Sequence, residues 1–148
     1  MMPAGKYVIS DLCYILRDEW EEVCSIIIDG HNVLDGEFNL KDGRRFAIYS
    51  TQYGDGEYRT SEGKSLGVDA GCIGCIKVED IDQTNPRNNL NNGMIVEFDS
   101  AFHTSGYQVS RSDWDGVIHI GHVEVYTGHD PYYEEEDEDY QLYDEDDF

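Results

Sequence analysis

The sequence predicts an α+β domain: a mostly antiparallel curved sheet or partly open barrel, one N-terminal helix over about residues 18–28, and a disordered acidic C-terminal tail. Three observations carry this expectation. Short runs rich in β-branched and aromatic residues recur between turns containing Gly and Asp. A single segment shows helical periodicity. After Gly128 the alternation stops and acidic residues take over.

Taken in order, "KYVISDLCYIL" reads as a first strand buried on both faces. In "RDEWEEVCSIII", Asp18 and Glu21 have the spacing of a capping box, and Trp20, Val23, Cys24 and Ile27 form one helical stripe. Asp29-Gly30 ends that helix. "GEFNL" and "RRFAIYST" flank a turn centred on Asp42-Gly43, and "GEYRT" and "KSLGVDAG" flank "SEG", so both read as hairpins. "CIGCIKVEDI" is a further strand, residues 82–93 form a polar loop, and "MIVEFDS" and "GVIHIGHVEVYT" are two late strands. The expectation is about seven or eight short strands with one helix. The domain spans residues 1–129 and the tail 130–148, whose composition buries too little apolar surface to offset its ordering entropy.

Charge narrows the function. The net charge is −22, from 32 acidic and 10 basic side chains. The last 19 residues hold 11 acids and no base, and the preceding 129 hold 21 acids and 10 bases, so each part carries −11. Direct nucleic-acid binding calls for clustered Lys and Arg, and here only Arg44 and Arg45 are adjacent. No apolar run is long enough for a membrane helix, and the N-terminus lacks the marks of a secretory signal, so a cytoplasmic protein is expected. Cys13, Cys24, Cys72 and Cys75 then read as reduced thiols, mostly buried.

The motifs that suggest chemistry are weak. Cys72 and Cys75 are the best metal candidates, but zinc needs a second pair of ligands, and residues three apart on a strand face opposite ways. His119 and His122 meet the same objection. His103 near Ser105, with Cys13 or Cys75 as other nucleophiles, leaves a small Cys/His-dependent enzyme as an alternative. "GDGEY" and "DGEF" lack the ligand series of a calcium loop, and "GVDAGCIG" is not followed by the helix of a phosphate cradle. No cofactor and no catalytic residue are expected.

The segments "PAGKYVISDLCYIL", "DGRRFAIYSTQYGDGEY" and "GVDAGCIGCIKVEDI" resemble an uncharacterised family of small proteins of bacteria and their phages. The resemblance covers residues 3–80 and the "GVIHIGHVEVYT" strand; it implies a bacterial or phage origin and no particular activity.

The tail supplies the sharper expectation. Extended, its last 15 residues span about 50 Å, and they carry ten carboxylates. That is one charge per roughly 5 Å, against about 3.4 Å along a nucleic-acid strand. Neighbouring charges at that spacing repel by about 0.8 kcal/mol in water, enough to hold counterions that a basic partner would release. The sign and spacing point to a non-enzymatic acidic decoy that imitates nucleic-acid charge. Its target would be a basic nucleic-acid-binding defence protein of the host: a nuclease, a restriction enzyme or a CRISPR effector. The expected partner-binding carboxylates are Glu134, Glu135, Glu136, Asp137, Glu138, Asp139, Asp144, Glu145, Asp146 and Asp147, with Tyr140, Tyr143 and Phe148 as aromatic anchors. Glu19 and Glu22 extend the patch on the helix face, beside Asp18 and Glu21. A second alternative takes "YDEDDF" as the acidic, Phe-ended tip of a single-strand-binding-like module that recruits partners.

Overall fold

Residues 1–107 and 114–128 are described by the structure, a computed structural model. The first strand, β1 (Gly5–Ser10), is shorter than its apolar run suggests. Asp11 stops it: its carboxylate accepts the backbone N–H of Cys13 at 3.1 Å and turns Leu12–Tyr14 into a single 3-10 turn. A short acidic side chain thus offers the backbone an alternative to the sheet.

The helix α1 spans Trp20–Ile27, inside the expected 18–28. The expected capping box does not form. Glu19 is the N-cap residue and makes no side-chain cap bond. Asp18 instead accepts from Asn85 Nδ2 at 2.8 Å and from Arg87 at 2.7 Å. An eight-residue helix is marginal on its own; its stripe anchors it, with Val23 and Ile27 buried and Trp20 packed at the margin of the same cluster. Burying those two aliphatic side chains contributes roughly 3–6 kcal/mol before ordering costs.

The helix runs directly into a small hairpin, β2 (Ile28–Asp29) and β3 (Asn32–Val33), turning at Gly30 with φ +63°. β4 (Gly36–Asn39) and β5 (Arg45–Ser50) then pair across the Asp42-Gly43 turn as expected, with Phe38 opposite Phe46. β6 (Gly56–Thr60) and β7 (Ser65–Val68) form the second hairpin. β8 (Cys72–Lys77), β9 (Met94–Phe98) and the two-residue β10 (Thr104–Ser105) follow. "GVIHIGHVEVYT" is a hairpin rather than one strand: β11 (Val117–Ile120) and β12 (Val123–Tyr126) turn at Gly121-His122. With that division and the two-residue strands, the described residues contain twelve strands, above the seven or eight expected.

The strands form two five-stranded sheets, ordered β4-β5-β8-β1-β9 and β10-β11-β12-β6-β7, with every pairing antiparallel. The expected α+β class of mostly antiparallel strands and one helix holds, and among the described residues the two larger sheets lie face to face with no closed barrel. Tyr7, Ile9, Tyr49 and Ile73 from the first sheet meet Tyr58, Leu66, Ile118 and Val125 from the second. The period-2 alternation sends Val8, Phe46, Ile48 and Ile76 to the opposite face, where Leu12, Leu16, Val23 and Ile27 cover them. The central strands of the first sheet are therefore buried on both sides, and the outer face of the second carries Glu57, Arg59, His119 and Glu124. At one margin Thr104 Oγ1 donates to Glu37 Oε2 at 2.6 Å and ties β10 to β4.

Candidate functional site

The described residues contain 20 acidic and 9 basic side chains. Three of the bases are neutralised by the body's own carboxylates. Arg44 pairs with Glu19 and Asp42 at 2.9 Å each, Arg45 with Glu37 at 2.9 Å, and Arg87 with Asp18 at 2.7 Å. Arg44 and Arg45, adjacent in sequence, thus reach different acids and build no common basic patch. The six other bases are dispersed over β1, the segment before α1, the β4–β5 turn, the β6–β7 hairpin and the end of β8. Glu21, Asp29, Glu57, Glu62, Glu97 and Asp99, by contrast, are exposed and carry no ion pair among the described residues.

Two of these acids line a cavity of about 450 Å³ between the end of β9 and the β11–β12 turn, together with Phe98, Phe102, His103 and His122. Its wall is rigid. The Phe98 and Phe102 rings stack at 3.8 Å, and Tyr7 meets Phe102 edge-on at 5.0 Å. Gly121 is required here: its φ is +59°, and a Cβ would lie 2.5 Å from Phe98 Cε1. Gly121 N donates to His103 O at 2.9 Å, which fixes the turn over the cavity mouth. The carboxylates of Glu97 and Asp99 at this opening suit a cationic side chain, attracted by charge. Sequence reasoning missed this site because "GVIHIGHVEVYT" reads as unbroken alternation, which hides the turn that brings His122 to Phe98.

Two of the helix-face acids, Glu19 and Glu22, are tied to the neighbouring hairpin, while Glu21 stays exposed. Glu19 holds Arg44, and Glu22 Oε2 accepts the backbone N–H of Lys41 at 2.7 Å. Both fasten α1 to the β4–β5 hairpin, so Glu19 and Glu22 act first as structural ties. The tail residues Glu134 to Asp139, Tyr140, Tyr143, Asp144 to Asp147 and Phe148 lie outside the described residues, as does the expected boundary at 129/130.

The candidate chemistry of the thiols and imidazoles is not assembled. Cys72 packs in the core beneath α1, and Cys75 packs between the two sheets. Burial pushes the Cys75 thiol up to about 12 and the Cys72 thiol higher still. The glycine between them answers to backbone crowding, since a Cβ on Gly74 would lie 2.1 Å from Ala47 O and 3.0 Å from Leu12 Cδ1. His119 lies on the outer face of the second sheet, its Nδ1 3.8 Å from Glu124 Oε2, and His122 lies in the turn. Ser105 pairs with His119 across β10–β11, while His103 lines the acidic cavity. Among the described residues no three His, Cys, Asp or Glu side chains gather as a metal site, and no helix is long and apolar enough to cross a membrane.

No protein-family model, no curated protein and no solved structure matches the chain.

Proposed function

We propose that this protein is a non-enzymatic acidic inhibitor that presents carboxylates where nucleic acid presents phosphates, and so blocks the basic groove of a nucleic-acid-binding defence protein. The observation that carries this reading is the charge arrangement of the folded body. Its acids outnumber its bases 20 to 9 over the described residues. Three of its arginines are already neutralised internally, and the remaining bases form no stripe along which a phosphate backbone could run. Such a surface is repelled by nucleic acid and attracted by whatever binds nucleic acid. The cavity flanked by Glu97 and Asp99 gives one lysine or arginine of the partner a defined seat. Residues 130–148 add a further −11.

The test is competitive. Purified nucleases, restriction enzymes and CRISPR effectors are loaded with a fluorescent oligonucleotide and titrated with the full-length chain at low salt and at about 0.5 M salt. Displacement from at least one of them at low salt, weakened at high salt and weakened by Glu97→Gln with Asp99→Asn, is the expected result. Failure to displace the oligonucleotide from any of them at low salt removes the proposal.

A further inference from the structure

A second cleft, of about 440 Å³, has the opposite character. Cys13, Tyr14, Arg17, Trp20, Asp69 and Arg87 line it, together with Ala70. It brings two guanidinium groups and two aromatic rings together on a chain of net charge −22. Its volume is that of small-molecule sites.

The cleft is built by contacts distant in sequence. The 82–93 loop is fastened to the segment ahead of α1 by four hydrogen bonds. Asn89 N donates to Tyr14 O at 2.8 Å, and Arg17 N to Asn88 Oδ1 at 3.0 Å. Asn85 Nδ2 and Arg87 both donate to Asp18, at 2.8 and 2.7 Å. These bonds set Arg87 at the same opening as Arg17. On the other side, the fully buried Asp11 accepts from the backbone of Asp69 and Ala70 at 2.8 and 2.7 Å and fixes the turn before β8. Tyr14 OH donates to Asp69 Oδ2 at 2.7 Å, which orients both groups.

The cleft holds one unpaired cation, Arg17, beside the Arg87–Asp18 pair and the Asp69 carboxylate. The Arg17 guanidinium is exposed and has no hydrogen bond or ion pair among the described residues. Asp11 is satisfied by three backbone N–H groups, and Arg87 answers Asp18. Burial, followed by the charge of Asp11, pushes the Cys13 thiol up to about 12, so the wall between the arginines and Asp69 is neutral. The acids elsewhere on the body act through a solution that screens beyond about 8 Å.

We propose that this cleft binds a nucleoside monophosphate: phosphate on Arg17 and Arg87, the flat base against Trp20 and Tyr14, and the free oxygen of Asp69 accepting from a ribose hydroxyl or an exocyclic amine. Guanidinium groups hold phosphate oxygens through charge-assisted bonds, and aromatic faces stack any base, so the class is fixed more firmly than the base. The cleft lies apart from the acidic cavity and shares no residue with it, so this site stands whether or not the acidic surface captures a partner.

The test is isothermal titration of the full-length chain with adenosine 5′-monophosphate, with inorganic phosphate and with adenosine. Saturable binding of the monophosphate is expected, with both fragments at least about tenfold weaker. Arg17→Ala should weaken monophosphate binding about tenfold with no change in melting temperature, because that guanidinium holds nothing in the fold. Arg87→Ala should weaken it too, and Lys64→Ala, on the β6–β7 turn, should leave it unchanged. Absence of heat at millimolar ligand, equal binding of phosphate and the monophosphate, or unchanged binding in Arg17→Ala each overturns the proposal.

Discussion

Replacing Asp11 with alanine tests how the loops around β8 are held. Asp11 is fully buried, and its two oxygens accept three backbone N–H bonds: Cys13 at 3.1 Å, Asp69 at 2.8 Å and Ala70 at 2.7 Å. Hydrogen bonds to a charged group contribute about 1.5–3 kcal/mol each. Against this stands the cost of keeping a carboxylate out of water, several kcal/mol that the alanine no longer incurs. Water also reaches two of the three donors in the variant, because Asp69 and Ala70 are exposed residues. The balance is a loss of about 3 kcal/mol, a large part of the 5–15 kcal/mol that ordinarily holds a domain folded. Followed by tryptophan fluorescence in urea, Asp11→Ala should lower the midpoint by about 1–2 M at unchanged slope. Asp11→Asn keeps one acceptor oxygen for the Asp69–Ala70 turn and should lose about half as much. If Asp11→Ala stays within about 0.5 kcal/mol of the parent, these bonds do not hold the turn, and the geometry assigned to the Arg17–Arg87 cleft loses its support as well.

Gly74→Ala should cost more than about 4 kcal/mol and leave little folded protein, because its Cβ would fall 2.1 Å from Ala47 O in the central strand pairing. Gly67→Ala, with open space around the new Cβ, should shift the melting temperature by no more than a degree or two. The thiols should resist Ellman's reagent at pH 8 until the chain is denatured: burial pushes Cys13 and Cys75 up to about 12, so the reactive thiolate is scarce, and a rapid native reaction of Cys72 or Cys75 would contradict their burial. Two carboxylates should give opposite pH signatures in denaturation curves. Burial works against the charge of Glu37, but hydrogen bonds from the Met1 amino group, Thr104 and Arg45 outweigh it and hold its pKa below the ordinary value. Its stabilisation is therefore present above the unfolded pKa and is lost as pH falls through the folded one, so the gap between parent and Glu37→Gln should close on acidification. Burial raises the Asp35 pKa despite the hydrogen bond from Ser50, so its ionisation opposes folding as pH rises through that range, and Asp35→Asn should stabilise the protein at neutral pH.

The elements that sequence reasoning finds here are those whose causes are local. The β4–β5 hairpin follows from Asp42-Gly43, and the Asp42 side chain accepts the Arg44 N–H at 3.1 Å across that turn. The stripe of α1 follows from spacing alone. The helix start is misread because Asp18 has a stronger distant claim, Arg87 and Asn85, lying 69 and 67 residues away. The same separation conceals the cleft: residues 82–93 look like featureless polar loop until their bonds to residues 14–18 are known. The acidic cavity is hidden differently, because Gly121-His122 interrupts a strand pattern whose apolar alternation continues on both sides of it. Compositional charge was legible from the start, whereas the division of acids between inward ties and outward display was not.

That division sharpens what the acidic surface can be asked to do. Many of the body's carboxylates serve as acceptors for backbone N–H groups: Asp11 for Cys13, Asp69 and Ala70, Glu22 for Lys41, Asp42 for Arg44, Asp82 for Thr84 and Asp115 for Val117. Each does at a turn or loop what a backbone carbonyl would do in a ladder, which is why a chain with so many acids can hold short, sharply connected strands. Removing these acids would change the fold along with the charge, and a lost interaction would then say nothing about charge imitation. Glu57, Glu62, Glu97 and Asp99 carry no such duty. A variant with these four changed to their amides removes four negative charges at nearly constant volume. If a basic partner responds to the body's field, its association rate should fall and its salt dependence should flatten in that variant while the melting temperature holds. If association instead follows Glu19 or Glu22, the partner is reading the shape of the α1–hairpin junction rather than its charge.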